Sequence, residues 1–128
     1  MLRFFVIGLG GAIGTLLRYI MGGLDYRFSG GVFPISTLVV NVTGSLAIGF
    51  LWGAFDRFVV SPNVRLFIFI GILGGYTTFS TFSLETFNLM KDGEYRIAVI
   101  NAILSVVLSL IAVFAGYIAS KTLLNLFK

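Results

Sequence analysis

The sequence predicts an all-α integral membrane protein with four transmembrane helices, forming a single domain over residues 1–128. The first observation is the composition, with 58% hydrophobic and 11% charged residues and a mean hydropathy of +1.04. In soluble domains roughly a quarter of the residues are charged. The second observation is the spacing of the charges, which leaves four long apolar windows. The connections between them are too short to hold another domain.

Each apolar window is long enough to cross a bilayer. The predicted spans are about 4–24, 34–55, 66–89 and 97–120. A transmembrane helix needs about 20 apolar residues at ~1.5 Å each. The first window contains one charge, Arg18. Because no small-residue cleavage site follows this window, we interpret it as a span rather than a removed signal peptide.

The basic residues outside the spans give only a weak preference for one orientation. Four spans place both termini on the same side of the membrane. That side carries Arg3, Arg57, Arg65, Lys121 and Lys128, and the other carries Arg27, Lys91 and Arg96. Because an excess of Lys and Arg sets orientation, five against three leaves two alternatives open. Either the termini are inside, or the chain inserts both ways round.

Small and polar residues recur every four positions on three of the predicted helices, so each set shares one face. The sets are Gly10, Gly14, Arg18 and Gly22; Thr37, Asn41 and Ser45; and Asn101, Ser105 and Ser109. Glycines at this spacing are typical of close helix packing, and the polar stripes indicate interhelical hydrogen bonds or a solvated track. Arg18 is costly at its depth. It either extends to the interface or binds a carboxylate, backbone carbonyls or an anion.

The third span is interrupted by polar residues. A glycine pair at 74–75 precedes five hydroxyl side chains between positions 77 and 83. Irregular backbone at membrane depth is tolerated only against protein or water. We predict a break at the glycine pair, where released carbonyls and amides offer cation and anion sites. Phe79 and Phe82 are three apart and are predicted to face the same way, so that their positive ring edges lie beside the hydroxyls.

Three segments of the chain resemble the Fluc/CrcB family of fluoride channels. They are GGAIGTLLRY at 10–19, NVTGS at 41–45 and GGYTTFSTFSLE at 74–85. The last segment is the most specific, and the resemblance extends over the whole chain in length and number of spans. It implies an antiparallel homodimer of dual topology in a prokaryotic plasma (inner) membrane. Two pores along the dimer interface would then export cytoplasmic fluoride passively.

The resemblance also implies roles for individual residues. Phe79 and Phe82 match the pair whose ring edges contact the anion, and Asn41 matches the asparagine that donates to fluoride and supports the rings. The other residues implied for the fluoride pore are Ser80, Thr81, Ser83, Ser105, Ser109, Arg18 and Glu85. The break around Gly74 to Thr77 matches the site at which carbonyls of both subunits hold one structural Na⁺ on the two-fold axis of the dimer, with Gly74 and Thr77 as the candidate donors.

Other functions fit the residues less well. A small multidrug exporter coupled to protons needs a carboxylate deep in an early helix, whereas Glu85, at the end of the third span, is the acidic residue nearest the bilayer. A purely structural subunit leaves the polar stripes unexplained. The chain contains neither histidine nor cysteine, which argues against an enzyme. The absence of a basic block argues against a nucleic-acid partner.

Overall fold

The computed structural model describes residues 1–25, 30 and 32–126, which form helices and contain no strand. The helices are α1 (Leu2–Met21), α2 (Ile35–Phe55), α3 (62–76), α4 (Ser80–Lys91) and α5 (Tyr95–Leu126). Within α3, the segment Leu66–Leu73 has wider π-helical turns. Because α3 and α4 together form one interrupted span, the described residues contain four helices of membrane length and apolarity. The prediction of four spans with a break in the third is confirmed.

Local side chains determine several helix ends. The Ser61 hydroxyl accepts a hydrogen bond from the first turn of α3, as capping residues do. Asp25 accepts from the backbone amide of Ser36 at 2.7 Å and from its hydroxyl at 2.6 Å. This carboxylate places negative charge at the N-terminus of α2, where the helix dipole favours it. Gly93, with φ at 83°, makes the turn between α4 and α5 in a conformation that glycine adopts at little cost.

Glycines bring α1 and α3 into direct backbone contact. A Cβ on Gly71 would lie 2.8 Å from the Cα of Gly10, and one on Gly75 would lie 2.7 Å from the carbonyl oxygen of Gly11. Both distances are too short for any other residue type without movement of the backbone. The glycine face predicted on the first helix is therefore a packing face.

The helices α2 and α5 meet in the same way and make the most extensive helix pair. Gly49 lies directly against the carbonyl of Val113, and Gly116 lies directly against the carbonyl of Leu46. A larger residue at either glycine would force the two backbones apart.

The interruption of the third span begins at Thr77, the last residue of the predicted range 74–77 and two residues after the glycine pair. Gly74–Tyr76 is helical, Thr77 is extended with ψ at 159°, and α4 begins at Ser80. The prediction that the glycine pair at 74–75 forms the break is wrong. Gly75 instead lies within the helix and packs against Gly11. A side chain at position 75 would prevent this contact.

The two ends of the bundle differ in charge. Contacts between helix ends gather four basic residues at one end, namely Arg3, Arg57, Arg65 and Lys121. At the other end a cavity of about 410 Å³ is bordered by Asp25, Glu85, Asp92 and Glu94. Arg27 and Lys128, which also belong to the basic residues outside the spans, lie outside the described residues.

Candidate functional site

A side chain of α2 holds the broken backbone of the third span. The Asn41 amide nitrogen donates to the carbonyl of Thr78 at 2.9 Å, and its oxygen accepts from the amide of Thr78 at 2.9 Å. One side chain thus satisfies both backbone groups of a residue outside the helices. Left unpaired and buried, each group would cost about 1–3 kcal/mol. Asn41 therefore holds the backbone in place between the end of α3 and the start of α4.

A cavity of about 560 Å³ opens beside this contact, between α2, the break and α5. It brings together several of the predicted site residues, namely Asn41, Gly74, Thr77, Phe79, Phe82, Ser105 and Ser109. Ser45, from the polar stripe of α2, also lines it. The two polar stripes therefore meet the break at one cavity, which is open at the surface of the chain.

The two phenylalanines form one wall of this cavity. Their ring centroids are 5.4 Å apart, with the planes tilted by 48°. Phe82 is only 9% exposed, whereas Phe79 is 76% exposed. The rings therefore touch and line the same cavity, although Phe79 precedes the first turn of α4. The pair presents one buried ring and one ring that the single chain leaves uncovered.

A chain of hydrogen bonds connects the backbone carbonyl of Phe82 to polar side chains of α5. The Thr86 hydroxyl donates to the carbonyl of Phe82 at 2.8 Å, and the Asn101 amide donates to Thr86 at 3.0 Å. Asn101 is 1% exposed and accepts from Ser105 at 3.4 Å. Sequence reasoning placed Asn101 on a polar stripe without assigning it a role, and it missed Thr86. The four-residue spacing of Asn101 and Ser105 was the available signal.

The three hydroxyl residues at the start of α4 are used locally. The amide of Thr81 donates to the Thr78 hydroxyl at 3.2 Å, and that hydroxyl donates to the Thr81 hydroxyl at 3.0 Å. The Ser83 hydroxyl donates to the carbonyl of Phe79 at 2.9 Å, and the Ser80 hydroxyl lies 3.4 Å from that of Thr78. Ser80, Thr81 and Ser83 thus shape the first turn of α4, and none of the three is among the described residues that line the cavity.

The two charged candidates have separate partners. Arg18 donates from Nη1 to the carbonyl of Thr77 at 3.3 Å, so of its alternatives the backbone carbonyl is the one observed. Glu85 accepts from the Thr37 hydroxyl at 2.8 Å. Its other carboxylate oxygen is buried without a hydrogen-bond partner in the part of the chain that the structure describes. Arg18 thus supports the break, and Glu85 lies toward the acidic end of the bundle.

The fold and the site define a four-helix membrane protein whose interrupted third span carries a polar site beside an open cavity. Residues 5–117 match the family model described as "CrcB-like protein, Camphor Resistance (CrcB)". The chain belongs to the CrcB family. Family membership and the four spanning helices identify a multi-pass protein of the prokaryotic inner membrane.

Curated relatives match the chain over nearly its whole length. A "Fluoride-specific ion channel FluC" from Parabacteroides distasonis is 43% identical over 128 residues, which is 100% of both chains. The protein of the same name from Elusimicrobium minutum is 45% identical, covering 95% of this chain and 96% of its own. That from Geobacter sulfurreducens is 44% identical, covering 96% of this chain and 100% of its own.

Proposed function

We propose that the chain is a passive, fluoride-selective channel that lets cytoplasmic fluoride leave the cell, and that it is not an enzyme. The observation that carries the proposal is the pair of hydrogen bonds between Asn41 and Thr78. They hold the break so that the rings of Phe79 and Phe82 meet at a cavity with hydroxyl donors. The name shared by the curated relatives, fluoride-specific ion channel, supports the choice of ion.

The proposed mechanism replaces the water around the ion in steps. A small anion loses strong hydration in a narrow pore, so several donors must compensate for it. The Asn41 amide has a second N–H beyond the one given to Thr78, and Ser105 and Ser109 line the same cavity. The positive ring edges of Phe79 and Phe82 supply a further weak site. A series of weak sites lets the ion bind and leave without being trapped.

A second copy of the chain completes the proposed pore. The cavity is open on one side, and the Phe79 ring at its margin is 76% exposed. An aromatic ring that is exposed beside a polar cavity can pack against a second subunit that faces it. The small difference in Lys and Arg between the two sides supports insertion both ways round. We therefore propose an antiparallel homodimer with two pores along its interface.

A structural Na⁺ at the dimer axis is the remaining part of the proposal. In a continuous helix the Thr78 amide would donate to the carbonyl of Gly74, but it donates to Asn41 instead, which releases that carbonyl. The Thr77 carbonyl keeps one lone pair beyond its bond from Arg18. Two such oxygens from each subunit fit a hard cation, although the guanidinium of Arg18 opposes one. When bound, the ion would offset anion charge and join the subunits.

Purified protein in liposomes should release fluoride and retain chloride. Vesicles loaded with both salts, with a potassium ionophore to balance charge, are diluted into ion-free buffer, and ion-selective electrodes follow each anion. Vesicles without protein set the background leak. Release of both anions at similar rates, or of neither, would contradict the proposed function.

A single cysteine in the connection after α1 should react from both sides of the membrane. Val32→Cys is suited to this, because Val32 is exposed and the chain has no other cysteine. A membrane-impermeant maleimide should label about half of the protein in intact cells and the remainder after permeabilisation. Ile111→Cys, exposed near the middle of the fourth span, should stay unlabelled. Labelling of Val32→Cys from one side only would exclude dual topology.

A further inference from the structure

Two adjoining hollows follow the contact between α2 and α5 on the surface of the chain. The first, of about 350 Å³, is bordered by Ile48, Gly49, Trp52, Val113, Phe114 and Tyr117. The second, of about 240 Å³, is bordered by Gly53, Asp56, Arg57, Lys121, Leu124 and Asn125. Both helices contribute successive turns to the two hollows, so together they form one groove. We call it the α2–α5 groove.

The groove changes from apolar to basic along its length. Hydrocarbon and aromatic side chains form the border of the first hollow. The exception is the glycine at 49, where the close backbone contact leaves no room for a side chain. The second hollow carries Arg57, Lys121 and Asp56, which sum to one net positive charge. Such a gradient matches a molecule with a hydrocarbon tail and an acidic head.

The depth of the groove in the membrane fits the same kind of molecule. From Val113 to Lys121 the helix rises about 12 Å, which leads from within the predicted fourth span to just beyond its end. Tyr117 lies between these levels, with the Lys121 amine 5.2 Å from its ring centroid. Aromatic rings with a basic side chain beyond them are typical of the headgroup level of a bilayer. The basic hollow therefore lies where lipid phosphates are found.

The basic side chains keep donors for a ligand. Arg57 uses Nη1 on the carbonyl of Leu124, and a guanidinium has five N–H donors. Lys121 pairs with Asp56 at 2.8 Å while remaining 40% exposed, and its ammonium has three donors. The Asn125 amide borders the same hollow. Donors from the turn after α2 and from α5 thus border the same hollow.

We propose that the α2–α5 groove binds one phospholipid with an acidic headgroup. One acyl chain lies against Trp52 and Phe114, and the phosphate is bound by Arg57, Lys121 and Asn125. Basic hollows between transmembrane helices bind acidic headgroups by this combination of charge and hydrogen bonds. The apolar hollow adjoins the cavity at the break, with which it shares Ile48, and it separates that cavity from the basic end of the groove.

The groove contains its own reporter. Trp52 is the single tryptophan of the chain and is 56% exposed, so brominated acyl chains that reach it will quench its fluorescence. Protein is reconstituted in phosphatidylcholine vesicles that contain brominated phosphatidylglycerol or brominated phosphatidylcholine in increasing fraction. The ratio of quenching by the two lipids gives the preference of the groove for an acidic headgroup.

The expected preference for phosphatidylglycerol is about fivefold or more, as one basic residue near the surface provides. It should fall toward one in the double variant Arg57→Gln, Lys121→Gln. The matched control Lys91→Gln, Arg96→Gln alters two basic residues at the opposite end and should retain the preference. If the double variant fails to elute as a single species, Arg57→Gln alone, which leaves the pair of Lys121 and Asp56 intact, should lower the preference by about fivefold.

Three results would overturn the proposal. Equal quenching by the two lipids would mean that the groove does not select an acidic headgroup. A preference unchanged in the folded Gln variants would mean that other residues cause it. Quenching by neither lipid would mean that a second copy of the chain covers the groove.

Discussion

Replacement of Phe82 by isoleucine is expected to lower fluoride efflux by about tenfold while the protein remains folded. Isoleucine keeps most of the buried apolar volume but removes the aromatic ring that lines the cavity. The ring quadrupole attracts a cation over its face by about 0.5–2 kcal/mol, and we expect an attraction of similar size for an anion at the positive edge. A change of 1.4 kcal/mol at a barrier corresponds to a tenfold change in rate. Phe79→Ile should act in the same direction. The initial rate of fluoride release from liposomes measures both.

The matched control for this substitution is Phe87→Ile. Phe87 lies on the same helix, is exposed, and is not among the described residues that line the cavity. Its replacement should leave the efflux rate within about twofold of the unaltered protein. If Phe82→Ile and Phe79→Ile behave like Phe87→Ile, the rings only pack and do not contact the ion.

Asn41→Leu is expected to reduce fluoride efflux by about a hundredfold and to lower the unfolding temperature in detergent. Leucine has the same branched arrangement of four side-chain heavy atoms but leaves the amide and carbonyl of Thr78 without the two bonds that hold the break. At about 1–3 kcal/mol for each unsatisfied group, the loss is large enough for the break to rearrange. The substitution also removes a donor from the cavity. Efflux rate and thermal unfolding of the purified protein measure the two effects.

Two variants separate the contributions of Asn41. Asn41→Asp keeps an acceptor for the Thr78 amide but loses the donor to its carbonyl, so its stability should lie between those of Asn41→Leu and the unaltered protein. Asn63→Leu replaces an asparagine that borders a separate cavity at the other end of the bundle and should retain normal efflux. Normal efflux in Asn41→Leu would show that the site does not depend on this contact.

The spans and the polar stripes could be predicted because charge and period are local properties of the sequence. The four apolar windows required only a count of charges. The stripe that contains Asn41 and the stripe that contains Ser105 required only the helical period, and both stripes reach the cavity. The partner of Asn41 could not be predicted, because Thr78 is 37 positions away and its availability depends on where the third span breaks.

The position of the break illustrates why the rest of the site was not predictable. A glycine pair is compatible with a broken helix and with close helix packing, and the local sequence does not distinguish these uses. The choice depends on Gly11 of α1, which packs against Gly75 and keeps it helical. Likewise Thr86 gains a role only because α5 places Asn101 beside it. Both outcomes are set by tertiary contacts between distant segments.

The measurement that tests passive fluoride selectivity most directly is the zero-current voltage of the protein in a planar bilayer. With a tenfold fluoride gradient, equal chloride on both sides and membrane-impermeant cations, the voltage should lie at the fluoride equilibrium value, about 59 mV. It should not move when a pH gradient is imposed. A voltage near zero would show that chloride permeates, and a voltage that follows the pH gradient would show proton-coupled exchange. Either result would contradict a passive fluoride channel.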